Sequence, residues 1–223
     1  MRHLTLFDLD GTLIPTDSDH AFGDFLVRQG WADGDEFKRR NDRFYQDYLD
    51  GSLDIEAYVD FATSSWRDRH PDEARAIRER FMQEVMAPSL RPQARALVQR
   101  HQDAGDLVAI VTATNEFVTR PIAEAFGVPE LIALELQRDE TGRATGRIQG
   151  VPTFQAGKIA RVLDWLAQRE HAWDQFDRIT FYSDSTNDLP LLERVSHPVA
   201  TNPSAALERI ALERGWPILR LFE

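Results

Sequence analysis

The spacing of apolar positions changes part-way along the chain. Leu4-Thr5-Leu6-Phe7 is a short apolar run that leads into Asp8-Leu9-Asp10-Gly11-Thr12. This predicts a buried strand turned at Gly11. From residue 15 to 88 apolar residues recur at three-and-four spacing, the period of helices with one buried face. Phe22, Phe25 and Leu26 mark one face, and Phe37, Phe44, Tyr45, Tyr48 and Leu49 a second. Ile55, Tyr58, Val59, Ala62 and Trp66 mark a third. Pro71-Asp72-Glu73 opens a fourth helix that runs through Ala74, Ile77, Phe81 and Val85. The stretch predicts a small helical bundle inserted after the first strand, with its aromatic residues in the core.

Beyond Ser89 the rhythm becomes strand-helix alternation. Ser89 is expected to cap a helix ending near Gly105, and Leu107 to Val111 is an apolar strand. A helix follows to Phe126-Gly127, with Pro121 leaving its start open. Leu131 to Gln137 and Ala144 to Ile148 pair around the turn Asp139-Glu140-Thr141-Gly142. Then come a helix over 155–168, a strand over 179–182, a short helix over 189–195, a strand at 199–200, a helix from Asn202-Pro203 to Arg214 and a candidate last strand over 218–221. Such alternation predicts an α/β fold with a mostly parallel sheet covered by helices on both faces. Two units result: residues 1–14 with 89–223, and the helical insert 15–88.

Composition narrows the function classes. The 223 residues carry a net charge of -11, which argues against a nucleic-acid backbone or an anionic membrane as the main partner. With no cysteine, disulfides, thiolate catalysis and cysteine-based zinc sites are excluded. No apolar run approaches membrane-spanning length, and the short N-terminal apolar stretch runs straight into Asp8. A cytoplasmic location is expected.

Polar residues gather where the predicted strands end, which in open α/β sheets is where ligands bind. Residues two apart on a strand face the same way, so Asp8 and Asp10 lean toward one point and require a cation or a shared proton between them. Thr112, with Thr114 and Asn115 just after, follows a second strand, either as part of an anion cradle or as a helix cap. Lys158 opens a helix, an unfavourable place for a cation unless an anion is there too. Phe181-Tyr182-Ser183 ends in Asp184, with Asp188 one turn on. Paired oxygen ligands at two strand ends suit a hard cation such as Mg²⁺.

The order Asp8-Leu9-Asp10-Gly11-Thr12, Thr112, Lys158 and Asp184-Ser185-Thr186-Asn187-Asp188 resembles the haloacid dehalogenase superfamily of phosphohydrolases, in its phosphoserine phosphatase-like branch. The resemblance implies a Rossmann-like core with residues 15–88 as a helical cap. It implies a Mg²⁺-dependent phosphomonoesterase acting on a small phosphorylated metabolite. Asp8 would be the nucleophile and Asp10 the general acid and base, with an Asp10 pKa raised by Asp8 and a semi-closed site. Asp8, the Asp10 carbonyl and Asp184 would hold the ion, Asp188 would orient one of its waters, and Thr112 and Lys158 would hold phosphoryl oxygens.

In that branch an acidic residue nine positions after the nucleophile contacts the substrate ammonium; here it is Asp17, which serves equally as a helix cap. Asp60 falls where a cap arginine would clamp a substrate carboxylate. This favours an amino-alcohol phosphate without a carboxylate, such as histidinol phosphate, whereas a clamp from Arg39, Arg40 or Arg43 would keep phosphoserine in play. Two alternatives use similar residues: a receiver-type switch that stores phosphate on Asp, and a phosphotransferase on the same fold. Asp10, placed to activate water, separates the enzyme from the switch.

Overall fold

In the computed structural model, which describes residues 2–222, the first strand β1 (His3–Phe7) lies inside a six-stranded sheet. Its neighbours are β2 (Leu107–Asn115) on one side and β6 (Arg178–Ser183) on the other. Outside them lie β3 (Leu131–Leu134), β7 (His197–Thr201) and β8 (Ile218–Leu219), giving the order β3-β2-β1-β6-β7-β8 with every pair parallel. Strand order reverses at β1, so the carboxyl ends of β2, β1 and β6 meet at a crevice.

Alternation along the central strands builds two apolar layers. Leu4, Leu6, Ala109, Val111, Ile179 and Phe181 face one side. They pack on α8 (Gly157–Gln168), α9 (Leu189–Leu192) and α10 (Ala205–Arg214) through Val162, Leu166, Leu191, Leu207 and Ala211. Phe7, Val108, Ile110 and Tyr182 face the other. That layer continues without a break into the inserted helices through Phe22, Phe25 and Phe81. Each such side chain, fully buried, stabilises the fold by roughly 1.5–3 kcal/mol.

The insert contains α1 (Ser18–Arg28), α2 (Gly34–Leu49), α3 (Ile55–Ser64) and α4 (Pro71–Phe81). Asp17 caps α1 by accepting the His20 N–H, and Asp54 caps α3 by accepting those of Glu56 and Ala57. α4 runs on through a π-helical turn, Met82–Met86, into α5 (Ala87–Ser89). Leu49, expected on an apolar face, is 53% exposed at the end of α2.

Three boundaries differ from expectation. Ser89 closes α5 instead of capping the next helix; α6 (Pro92–Asp103) begins at Pro92, whose missing N–H costs nothing in a first turn. Pro121 sits inside α7 (Glu116–Ala125). Its missing donor frees the Phe117 carbonyl one turn back, and the Arg78 Nη1 donates to that oxygen at 3.3 Å. The run 131–137 divides: its solidly apolar half becomes β3, buried in the main sheet. The alternating half becomes β4 (Leu136–Arg138), antiparallel to β5 (Ala144–Ile148) in a separate hairpin. Among the described residues no helix is long and apolar enough to cross a membrane.

Candidate active site

Asp8 follows β1 and stays in register, donating its N–H to the Tyr182 carbonyl at 2.9 Å. Lys158, in the first turn of α8, reaches it: Nζ donates to Asp8 Oδ1 at 2.7 Å and to Asp188 Oδ2 at 2.8 Å. Asp188 ends a 3-10 turn after β6 and also accepts the Ser183 hydroxyl at 2.7 Å. All three ionic side chains are at most 5% exposed. Burial would pull the Lys158 ammonium down, but Asp188 and Asp8 hold it above the usual lysine range. Burial pushes Asp8 up to about 7 against the pull of Lys158, with Asp188 repelling it further. The lysine expected to meet phosphate is thus tied first to the carboxylates.

Asp184 comes off the end of β6 beside Asp8. A single hydroxyl, Thr12 Oγ1, lies 3.2 Å from Asp8 Oδ2 and 3.3 Å from Asp184 Oδ1. The turn carrying Thr12 requires glycine before it. Gly11 has φ +75°, and a Cβ there would come within 2.3 Å of Asp184 Oδ2. Just past β7, Asn202 Nδ2 holds this turn by donating to the carbonyls of Gly11 and Thr12 at 3.0 and 3.1 Å. Burial, with repulsion from Asp8 and Asp188, pushes Asp184 well above the ordinary carboxylate range. Lys158 is hydrogen-bonded to Asp8 and Asp188, and Asp184 receives the Thr12 hydroxyl; among the described residues no ion pair reaches Asp184. Crowded carboxyl oxygens with too little positive charge are a donor set that fits a hard divalent cation.

Asp10 turns away from this group. The Leu9 carbonyl accepts the N–H groups of Thr12, Leu13 and Ile14, which ends the strand geometry. Asp10 then accepts the Ser18 N–H at 2.7 Å and the Thr114 hydroxyl at 2.9 Å. Its pKa rises to about 7, chiefly through burial and then through repulsion by Asp17. The elevation matches expectation, but its main charged source is Asp17 and not Asp8.

Thr112 is buried within β2, which runs past the expected stop at Val111 to Asn115, and its Oγ1 accepts the Thr114 N–H at 3.1 Å. It does not cap α7; Asn115 does, by accepting the Val118 N–H. The Asn115 amide also donates to both oxygens of Asp19, each at 3.2 Å. Burial pushes Asp19 up to about 6, with the Tyr58 hydroxyl as the strongest opposing pull.

A sequence model described as haloacid dehalogenase-like hydrolase matches residues 5–193. The chain belongs to this family. It is 43% identical over 219 residues to a histidinol-phosphatase of Neisseria meningitidis serogroup C, covering 98% of this chain and 99% of that one. A crystal structure of a protein of unknown function from Bordetella pertussis Tohama I superposes with a TM-score of 0.94 at 49% identity, over 100% of both chains. A substrate-bound phosphoserine phosphatase shares the fold, with a TM-score of 0.68 at 16% identity over 98% of this chain and 93% of that one. This hydrolase is a phosphomonoesterase.

In this haloacid dehalogenase-like hydrolase a pocket opens between α1, α2, α3 and the end of β2. Asp17, His20, Phe44, Tyr45, Tyr48 and Tyr58 line it, together with Thr114, the residue that holds Asp10. Aromatic residues expected in the core therefore form a pocket wall, because helical period marks a buried face without saying what it is buried against. Asp17 caps α1 and also faces the pocket. Asp60 does not reach it. Its side chain is 65% exposed and paired with Arg67 on the hairpin side of α3, outside the lining of this pocket. Among the described residues no arginine lines the pocket: Arg39 pairs with Glu36 and Arg40 lies over the Phe61 ring. Ser18, Asp19, Ser183 and Asn202 support the site in contacts not assigned from the sequence, and Thr114, noted beside Thr112, holds Asp10. Their partners lie as far as 191 residues away.

Proposed function

We propose that the chain hydrolyses histidinol phosphate through an aspartyl-phosphate on Asp8, with Mg²⁺ as cofactor. An Asp8 oxygen attacks phosphorus, the ester P–O bond breaks, and Asp10 protonates the departing alkoxide. Asp10 then takes a proton from the water that attacks the same phosphorus, which restores Asp8 and releases phosphate. An Asp10 pKa near 7 suits a group that gives and accepts a proton in one cycle. Asp8, the Asp10 carbonyl and Asp184 would hold the ion, which supplies positive charge to the phosphoryl oxygens. Asp188 fixes Lys158 against Asp8, where its ammonium and the Thr112 hydroxyl can meet those oxygens.

The observation that carries the substrate assignment is the pocket beside Asp10. It offers aromatic walls and the Asp17 carboxylate and, among the described residues, no arginine. A flat imidazole, an ammonium and no carboxylate complement those walls, that acid and that missing cation. The 43% identical histidinol-phosphatase supports the same reading. In this reading the helices of 15–88 act as the cap that selects the substrate.

Phosphate release from histidinol phosphate, phosphoserine and p-nitrophenyl phosphate with Mg²⁺ tests it. Histidinol phosphate should lead in kcat/KM by at least about tenfold, an order expected of about 1.4 kcal/mol of extra binding. A preference for phosphoserine overturns the assignment. Asp17→Ala should raise KM for histidinol phosphate far more than for the aryl ester; equal effects remove Asp17 from recognition.

A further inference from the structure

A second cavity, of about 220 Å³, shares no lining residue with the pocket beside Asp10. Six arginines line it: Arg67 and Arg69 after α3, Arg75 and Arg78 on α4, and Arg138 and Arg143 on the β4–β5 hairpin. Among the described residues no acidic one joins the lining, although the whole chain carries -11. Such a local reversal of sign is a field that attracts anions. Arg67, Arg75 and Arg138 have carboxylate partners in Asp60, Asp72 and Glu116. Among the described residues Arg69, Arg78 and Arg143 form no ion pair; Arg69 lies over the Trp31 ring and Arg78 over the Phe117 ring.

Arg78 is the most constrained of the six. It is half-buried, its Nη1 rests on the Phe117 carbonyl that Pro121 leaves free, and its Nε is buried with no acceptor. Native proteins rarely leave a buried donor unmet, so an acceptor from a ligand is a natural partner. Trp66 and Phe117, stacked at 4.2 Å, contribute flat apolar lining to the cavity, and low polarity there strengthens any charge pairing. Guanidinium forks match the oxygen pairs of phosphate and carboxylate groups.

We infer that this cavity binds a small polyanion with at least two phosphate or carboxylate groups, at a site separate from the reaction centre. Its arginines come from both the inserted helices and the hairpin that follows β3, so one ligand would tie the two together. The inference stands apart from the substrate assignment.

Titration calorimetry on metal-free protein in EDTA, with tripolyphosphate and citrate as probes, tests it. Wild type should bind at least one probe with unit stoichiometry; tripolyphosphate alone assigns a polyphosphate ligand and citrate alone a polycarboxylate. Arg69→Gln with Arg143→Gln should weaken binding at least tenfold, with p-nitrophenyl phosphate turnover unchanged in the absence of probe. Arg143 is exposed, so Arg143→Gln alone, with a smaller but measurable loss, serves if the double variant fails to fold. Absence of binding by either probe overturns the inference. So does binding that Lys158→Met weakens and the arginine variants leave intact, because that places the probe in the reaction centre.

Discussion

Replacing Lys158 with Met examines the electrostatics that hold the reaction centre together. The ammonium makes contacts of 2.7 and 2.8 Å with Asp8 and Asp188, with all three side chains buried. Removing the cation leaves two buried carboxylates without their shared partner. Breaking a buried pair in this way costs about 3–5 kcal/mol. Against a total stability of about 5–15 kcal/mol, the variant should still fold. In a chain of this length its Tm should fall by roughly 6–20 °C.

The loss should depend on pH, with a definite sign. Lysine stays charged from pH 5 to 8 in both folded and unfolded chains, so its own titration contributes nothing in that window. Asp8 is already pushed up to about 7 in the folded protein and rises further once the ammonium is gone. The folded variant then holds a proton that the unfolded chain, with an Asp pKa of about 3.9, has released. Stability of the variant therefore falls as pH rises, and its deficit against wild type is greatest near pH 8. Urea unfolding in EDTA at pH 5 and pH 8 measures both quantities. Adding Asp188→Asn to the variant should recover part of the loss by removing one of the two stranded charges. A deficit below about 1 kcal/mol at pH 8, or one equal at the two pH values, would refute the reasoning.

Metal-free wild type should also be more stable at pH 5 than at pH 8. Asp10 at about 7 and Asp17 and Asp19 at about 6 bind protons that the unfolded chain lacks, each worth about 1.4 kcal/mol per pH unit within its window. Mg²⁺ should flatten that slope by replacing protons among the carboxylates, and a flat profile in EDTA would contradict the charge crowding. Gly11→Ala should cost about 1–2 kcal/mol for the left-handed backbone and, by displacing Asp184, should weaken Mg²⁺ binding at least about tenfold; unchanged Mg²⁺ affinity by calorimetry counts against Asp184 as a ligand. Asp10→Asn should lower kcat by about 10²–10⁴-fold and let phosphorylated protein accumulate, as seen by intact mass after acid quench. Loss of kcat without phosphoprotein would remove Asp10 from the hydrolytic step.

Much of this protein is written in local pattern. The apolar run into Asp8, the helical period from 15 to 88 and the strand ending at Asp184 depend on neighbours within a few residues, and each formed as its period predicts. Lys158 at a helix start was informative for the same reason, because a cation placed against the helix dipole calls for an anion nearby. Local pattern was weaker at boundaries. Ser89 and Arg91 compete for one helix start, and the run 131–137 holds one strand of a buried sheet and one of an exposed hairpin.

Chain neighbours therefore determined the elements, the order of the acidic and basic motifs, and the identity of the residues at the strand ends. Tertiary structure alone decided which of those groups touch. It tied Lys158 to Asp188 as well as Asp8, turned Asp10 toward Thr114, and made a pocket from rings that helical period would leave in the core. The reason is physical: period follows from backbone geometry over one or two turns, whereas charge pairing and pocket shape depend on distances between segments that only the closed sheet brings together.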